Sequence, residues 1–435
     1  MFNATTIDQL AKQLHEPAWL TELRRRALTT HTTLPWPHPS DDIWRRLDTT
    51  LLDPSNGFTP IQPALIQHLA LTDAQLAGWT QPLGGEQLFV RVNGSWLTEE
   101  QPQGIRIEDG IQAARQDPDP IRQALEADGL TDAEQKLSSL NLAFHHDDVA
   151  IHVPAGFSGP QPFRLVRIIG VMPKQAIFPL TVITVGAGSS VTIIDESISI
   201  DLTRSQDPHL VNGRIELHIG PNASVHYVRL QRWAPQAREF LLQRAVLGQN
   251  ATLTMANINL GAALSKAHLV TKLAAPGAST RLYGFVFGRD KQHIDQHTLQ
   301  DHQAPHTTSD LQFKAALQDE SRMVYTGLIR IGKDAQQTEA FQANHNLLLS
   351  KTARAETIPM LEILADDVQC KHGASIGPID DEQAFYLMSR GIPRAQAQRL
   401  LVMGFVESII QQIPFAPLQE RLRQEIEGEI HSEWS

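Results

Sequence analysis

The chain holds 435 residues, more than the roughly 100 to 200 of one ordinary domain, so two or three structural units are expected. Its 41% hydrophobic and 20% charged residues exclude a disordered or fibrous chain. Lys and Arg total 37 against 48 Asp and Glu, a net charge of −11 that argues against a nucleic-acid partner, and a single cysteine excludes both an internal disulfide and a metal site built from several thiolates of this chain. Met1 to Leu20 contains no basic leader followed by an apolar stretch, and no apolar run approaches the roughly 20 residues of a membrane helix, so the expected location is cytoplasmic, with no membrane partner.

Residues 1–135 read as a mostly helical, mixed domain. A helix is predicted over Thr6–Thr29, then a proline-rich break over Leu34–Ser40, then a helix over Asp42–Leu51. Gln87–Trp96 alternates apolar and polar residues, and its Val92-Asn93-Gly94 predicts a small hairpin. Asp117-Pro-Asp-Pro120 opens a further helix.

From about Leu140 to Ile363 the pattern changes to short period-two runs of Val, Ile, Thr, Leu and Phe, which defines a β core over residues 136–370. A small-residue turn recurs in Gly186–Val191, Gly220–Val225, Gly248–Leu253 and Ala275–Thr280. Aligned on Ser189, Ala223, Ala251 and Ala278, the intervals are 34, 28 and 27 residues, and Gly332-Lys-Asp-Ala335 follows 57 residues later. Such a period predicts a β-solenoid whose coils bury their apolar faces by stacking, with an irregular β-sandwich as the alternative. Asn222-Ala-Ser and Asn250-Ala-Thr match a glycosylation triplet, but without a signal peptide they do not carry that meaning.

Residues 371–435 read as a helical domain. Asp380 caps a helix over Asp381–Arg390, with Gln383 placed for a capping box and Gly391 as the left-handed terminator. Pro393 opens a second helix that carries Ala397, Leu400, Leu401, Gly404, Phe405, Ser408 and Ile409 along one stripe, to pack on the β core or to dock another subunit; Pro414 stops it. A charged helix over Leu418–His431 ends the chain.

Cys370 and His372 stand two apart in a strand-like setting, so thiol and imidazole project to one face and could meet one metal. A buried, inert cysteine is the plainer reading of that spacing. A Cys/His hydrolytic dyad is disfavoured, because strand neighbours are fixed side by side and no glycine-rich nucleophile turn accompanies them. His293, His297, His302, His306 and His345 invite a metal reading, but their spacing suits structural histidines better, and the adjacent Asp366 and Asp367 suit a turn rather than an acid/base pair. No phosphate-binding loop or dinucleotide fingerprint is present.

Several of these segments share a resemblance. Asn344–Leu349, Pro359–Ile363, Asp366–Ala374 and Asp381–Ile392 resemble the SufD proteins of the SUF iron–sulfur cluster assembly system. Weaker similarity runs through Asp301–Ser309 and Met323–Ile329, and Asp42-Ile-Trp-Arg-Arg46 is similar to a family motif in which a tyrosine stands at the Arg46 position. The related SufB proteins show Glu-His-Glu-Ala where this chain has Lys371-His-Gly-Ala374, which favours the SufD side. The resemblance implies a right-handed parallel β-helix flanked by helical domains, pairing with a SufB-like homologue through that β-helix, and docking of a SufC-like ABC ATPase on the C-terminal helices around Tyr386, Leu387, Ser389, Arg390, Gly391 and Phe405. It further implies that Cys370 and His372 contribute to an interface site for transient iron or a nascent cluster, that FAD is possible in the complex, and that the isolated chain could form a homodimer. On this reading the protein is a scaffold subunit and not an enzyme. The competing readings are a purely structural subunit with inert Cys370, and a β-helix enzyme acting on polysaccharide, for which convergent groove carboxylates are lacking.

Overall fold

The alternating runs between Asp147 and Pro378 pair in parallel with the corresponding run of the next coil, two or three strands away, not with the next one along the chain. The computed structural model describes residues 1–38, 40–41, 43–61, 71–98, 104–126, 130–203 and 205–430. Each coil contributes one strand to each of two parallel sheets, from Asp147–Val153 with Phe163–Val171 to Arg354–Ile363 with Val368–Pro378. The result is a β-solenoid of about eight turns with helices at both ends of the chain. Side chains alternate across each strand, so one file from each sheet meets in the lumen, filled by Ile183, Leu217, Leu241, Leu269, Leu311, Phe313 and Met323 among others.

The repeat seen in the sequence has a backbone cause. Gly188, Asn222, Asn250, Gly277, His306 and Gln337 all have φ between 54° and 67° or, at Gly277, 75°. Each donates its N–H to a carbonyl of the following coil, as Asn222 does to Gln249 at 2.8 Å and Asn250 to Pro276 at 3.0 Å. Left-handed φ costs least for Gly and Asn, so these residues recur at that corner, and the two glycosylation-like triplets are by-products of it. Gly332–Ala335 makes the same kind of turn bond (Ala335 N to Gly332 O, 3.0 Å) as Gly248–Ala251 (3.2 Å), but this turn is longer, and Thr338, after the left-handed Gln337, rather than Ala335, holds the position equivalent to Ala251. The intervening copy escapes the pattern because Thr307 stands at its alanine position, its hydroxyl 3.1 Å from the Ala304 carbonyl.

The outer faces of the two sheets are covered from opposite ends of the chain. Ile7, Ala27, Trp44, Leu137 and Phe144 pack on Phe178, Phe240 and Leu242 of one sheet. Val402, Val406, Ile409, Leu418 and Leu422 pack on Val228, Ile258 and Phe285 of the other. Glu425 of the last helix is held at 2.6 Å by Arg232, which also reaches the buried Glu196 at 3.0 Å.

Several local expectations change. The helix over Thr6–Thr29 is two, Ala4–Leu14 and Ala18–Thr33, because His15 turns left-handed (φ 50°) and Pro17 lacks an N–H for helix bonding. Residues 43–47 form turns before a short 3-10 helix at Thr49–Leu52, and Asp42 lies outside the described residues. Gln87–Val92 and Ser95–Trp96 form the expected hairpin, with Asn93 and Gly94 left-handed, and Pro118–Leu125 the expected helix. A helix over Asp132–Phe144 was not foreseen: Leu140-Asn-Leu-Ala-Phe144 alternates like a strand, but the Thr131/Glu134 capping box nucleates a helix upstream. The boundaries drawn at 135 and 370 fall inside this helix and inside the last strand. The final helix spans Ala416–Glu429, and His431 lies outside the described residues.

The lumen also holds polar groups, from the Arg91–Asp147–Arg167 ion pairs of the first coils to the hydroxyls of Thr307 and Ser309 further on. His302 there lies 2.8 Å from both the Thr307 and Ser309 hydroxyls, and burial lowers its pKa to about 4; burial does the same to His209. The unfolded chain takes up these protons near pH 6.5, the folded chain only near 4. Their contribution to stability is therefore complete above pH 6.5 and declines as pH falls toward 4, by about 3 kcal/mol for each histidine. Thermal melts across that window should show falling midpoints, and His302→Gln should flatten the slope; a variant as acid-sensitive as the parent contradicts this assignment.

Candidate functional site

The solenoid's two ends differ. At the first coil, Arg106–Asp109 and the Gln87–Trp96 hairpin close the sheets. At the last coil, Arg354–Ile363 and Val368–Pro378 each have a partner strand on one side only among the described residues. Two edges of ten and eleven residues are left with backbone N–H and C=O groups on offer. Pro359, within the first of these strands, is a residue that sheets tolerate at an edge.

Cys370 and His372 belong to this last coil. Cys370 pairs with Ala340 and His372 with Gln342, so both continue the inward file of their sheet. Strand geometry sets their backbones about 6.6 Å apart. Cys370 is half-buried against a small apolar group of Ile329, Ile331, Ala335, Ala340 and Ala365. His372 is exposed, because no further coil lies over it. Around them the lumen is open: Leu361, Ile363 and Ile376 are exposed apolar residues, and Leu364 at the corner is 61% exposed. Gln342 Oε1, Asn346 Oδ1 and Thr357 Oγ1 are buried without a hydrogen-bond partner among the described residues. Asp366 and Asp367 sit in the exposed corner turn, where the Asp367 carbonyl accepts from Gln337 N.

Burial pushes the Cys370 thiol up from its ordinary value. Lys371 does not counter this, since it points to the other face, its ammonium 5.9 Å from the Phe341 ring. The thiol therefore rests protonated at neutral pH, and ligating a metal would require the metal to displace the proton.

The last strand runs directly into the helix Asp381–Ser389 through Ile379 and Asp380. Asp380 caps that helix, accepting from Glu382 N at 2.9 Å, and Gly391 ends it with φ 89°. The helix buries only Ala384, leaving Phe385 71% and Tyr386 57% exposed beside an exposed Met388. Tyr386, Ser389, Arg390 and Gly391 thus share one exposed surface, with Leu387 half-buried and the Arg390 guanidinium 5.2 Å from the Tyr386 ring. Phe405 stands apart, half-buried under Lys314, whose ammonium is 4.5 Å from its ring. In the helix Arg394–Ile410 the buried stripe is Ala397, Val402, Val406, Ile409 and Ile410. Of the stripe read from the sequence, Ala397 and Ile409 are buried, whereas Leu400 and Gly404 remain exposed.

A family model described as "SUF system FeS cluster assembly, SufBD core domain" matches residues 168–405, which takes in most of the solenoid, the open coil, the helix Asp381–Ser389 and the larger part of the helix Arg394–Ile410. The chain belongs to the SufB/SufD family. Similarity extends beyond the core: an iron–sulfur cluster assembly SufBD family protein of Synechocystis is 28% identical over 97% of this chain and 95% of its own. The SufD protein of Escherichia coli is 30% identical over 56% of each chain, and the SufB protein of Bacillus subtilis 24% over 98% of this chain and 93% of its own. Membership in this SufBD family supports a scaffold role in iron–sulfur cluster assembly, in a family that is generally not itself catalytic. No described helix is long and apolar enough to cross a membrane.

Reading by sequence singled out Cys370 and His372 but not the setting that surrounds them. Gln342 comes from the preceding coil, and only the coil period of about 30 residues places it beside His372. Cys370 should react with iodoacetamide at neutral pH more slowly than an unhindered thiol, and faster as the pH rises. Alkylation at the rate of a free thiol would contradict its packing.

Proposed function

We propose that this protein is a SufD-type scaffold subunit that pairs, through its uncapped last coil, with the corresponding coil of a SufB-like homologue. The observation that carries the reading is the open coil itself, with Cys370 and His372 in its inward file. A homologous coil would continue both sheets and cover the exposed Leu361, Ile363 and Ile376. It would also supply the ligands that one cysteine lacks, so that iron or a nascent cluster, as cargo, would gather between the two chains. Lys371-His372-Gly373-Ala374 supports the SufD side of the pair. Without that partner, a second copy of this chain offers the same edges.

A SufC-like ABC ATPase would engage the exposed Phe385, Tyr386 and Met388 surface, with Leu387, Ser389, Arg390 and Gly391 in its neighbourhood and Phe405 behind it. Hydrolysis would lie with that partner. Because two residues join the Asp381–Ser389 helix to the strand of Cys370, a nucleotide-driven shift of the helix would be felt at the interface.

A second reading, in which Cys370 serves only packing, draws on its contacts with Ile331 and Ala340. The two separate on co-expression with the partner subunits and cluster reconstitution of Cys370→Ala and His372→Ala complexes that still assemble. The scaffold-site reading expects cluster yield to fall several-fold in each; unchanged yield in both leaves the structural role.

A further inference from the structure

On the outer face of the sheet that the N-terminal helices cover, far in sequence from Cys370, three metal-ligating side chains meet. The strands Leu264–Leu273 and His293–His302 pair in parallel with His268 opposite His297, and the two rings lie 5.0 Å apart at 70°. The unforeseen helix Asp132–Phe144 brings Glu134 down on them, its Oε1 2.9 Å from His268 Nδ1. One donor atom from each of the three lies within 4.8 Å of the others, and all three residues are buried.

We propose that Glu134, His268 and His297 form a site for one divalent transition-metal ion of the iron-to-zinc series. Two imidazoles and one carboxylate are a recurrent donor set for these ions, and it leaves further positions open for water. The pattern of unmet bonds points the same way. His268 Nδ1 donates to the Glu134 carboxylate at 2.9 Å, so a metal held between these two atoms would take the place of that proton, while His268 Nε2 has no partner among the described residues. Both ring nitrogens of the buried His297 are likewise without a partner there. Other buried histidines bond at least one ring nitrogen, as His145 bonds Asp148, His146 the Phe144 carbonyl and His302 two hydroxyls, whereas His297 bonds neither. A metal at about 2.0 to 2.2 Å from each donor would need them roughly 3 to 3.5 Å apart; Glu134 Oε1 and His268 Nδ1 already stand near that separation, and the remaining contraction would fall to the His297 ring.

The surroundings suit a bound ion. Glu134 Oε2 accepts from Thr131 N at 2.8 Å, so the capping box that starts the helix also orients the carboxylate. Lys266 is already paired with Asp295 at 2.8 Å and bonded to the Ile43 carbonyl, which offsets its charge beside the site. The Trp44 ring, 5.0 Å from His268, closes the outside. An ion here would tie the helix Asp132–Phe144 to two coils of the solenoid, and this site is separate from the open coil.

The test uses full-length chain freed of metal by chelator during refolding and then titrated with Co(II) or Zn(II). Wild type and Cys370→Ala should each take up about one equivalent and melt at higher temperature with metal than without. Glu134→Gln and His297→Gln should bind at least about tenfold more weakly and lose the metal-dependent shift in melting. Co(II) in the Cys370→Ala protein should show ligand-field bands without a thiolate charge-transfer band, and paramagnetically shifted imidazole N–H resonances. Absence of uptake in the Cys370→Ala protein, or undiminished uptake in folded Glu134→Gln and His297→Gln proteins, overturns the proposal. Should either of those variants fail to fold, absence of shifted imidazole resonances in Cys370→Ala overturns it equally.

Discussion

A parallel coil cannot satisfy itself. Each strand of this solenoid has its bonding partners in the coils before and after it, and the inward side chains are dry only while another coil lies above them. At the N-terminal end this demand is met within the chain, by the hairpin Gln87–Trp96 and the antiparallel strand Arg106–Asp109. At the C-terminal end it is not met among the described residues, and Cys370 and His372 lie there. The exposed Leu361 and Ile376 and the half-buried Cys370 all lack a coil above them among the described residues.

The same constraint gives the lone cysteine its meaning. In an interior coil, a residue at the Cys370 position would be sealed like Ala340, its neighbour in the ladder, and would be inert. In the terminal coil it is enclosed from one side only, and the other side is whatever binds. Under the proposed pairing, cargo held between two chains at such a half-site would be released when they part. The C-terminal helices follow the Cys370 strand directly and cover the outer face of its sheet, so they connect that boundary to an exposed aromatic surface.

Much of the fold was legible in the chain because its cause is local and repeated. The left-handed corner selects Gly188, Asn222, Asn250 and Gly277, and a residue type that recurs for a backbone reason can be counted. Where the corner uses His306 or Gln337 instead, the pattern fades although the geometry persists. The terminators Asp380, Gly391 and Pro393 act within one turn and were equally readable. What could not be read depends on stacking. That His268 meets His297, or that His372 stands beside Gln342, follows from a register summed over a coil of about 30 residues, and one inserted residue would change it. The helix Asp132–Phe144 was hidden by tertiary context, since its strand-like alternation at Leu140–Phe144 is overridden by a capping box nine residues earlier. Arg46, at a position where the family motif carries tyrosine, pairs with Glu356 on the last coil, a contact between residues 310 apart that no local pattern contains.

The central claim is that the uncapped coil is the pairing surface. Hydrogen–deuterium exchange of the chain, alone and in complex with the SufB-like homologue, tests it most directly. The account predicts that amides of Arg354–Ile363 and Val368–Pro378 exchange quickly in the free chain and become strongly protected in the complex, while the interior coils stay as they were. A complex that forms while both edge strands exchange at their free rates would contradict it.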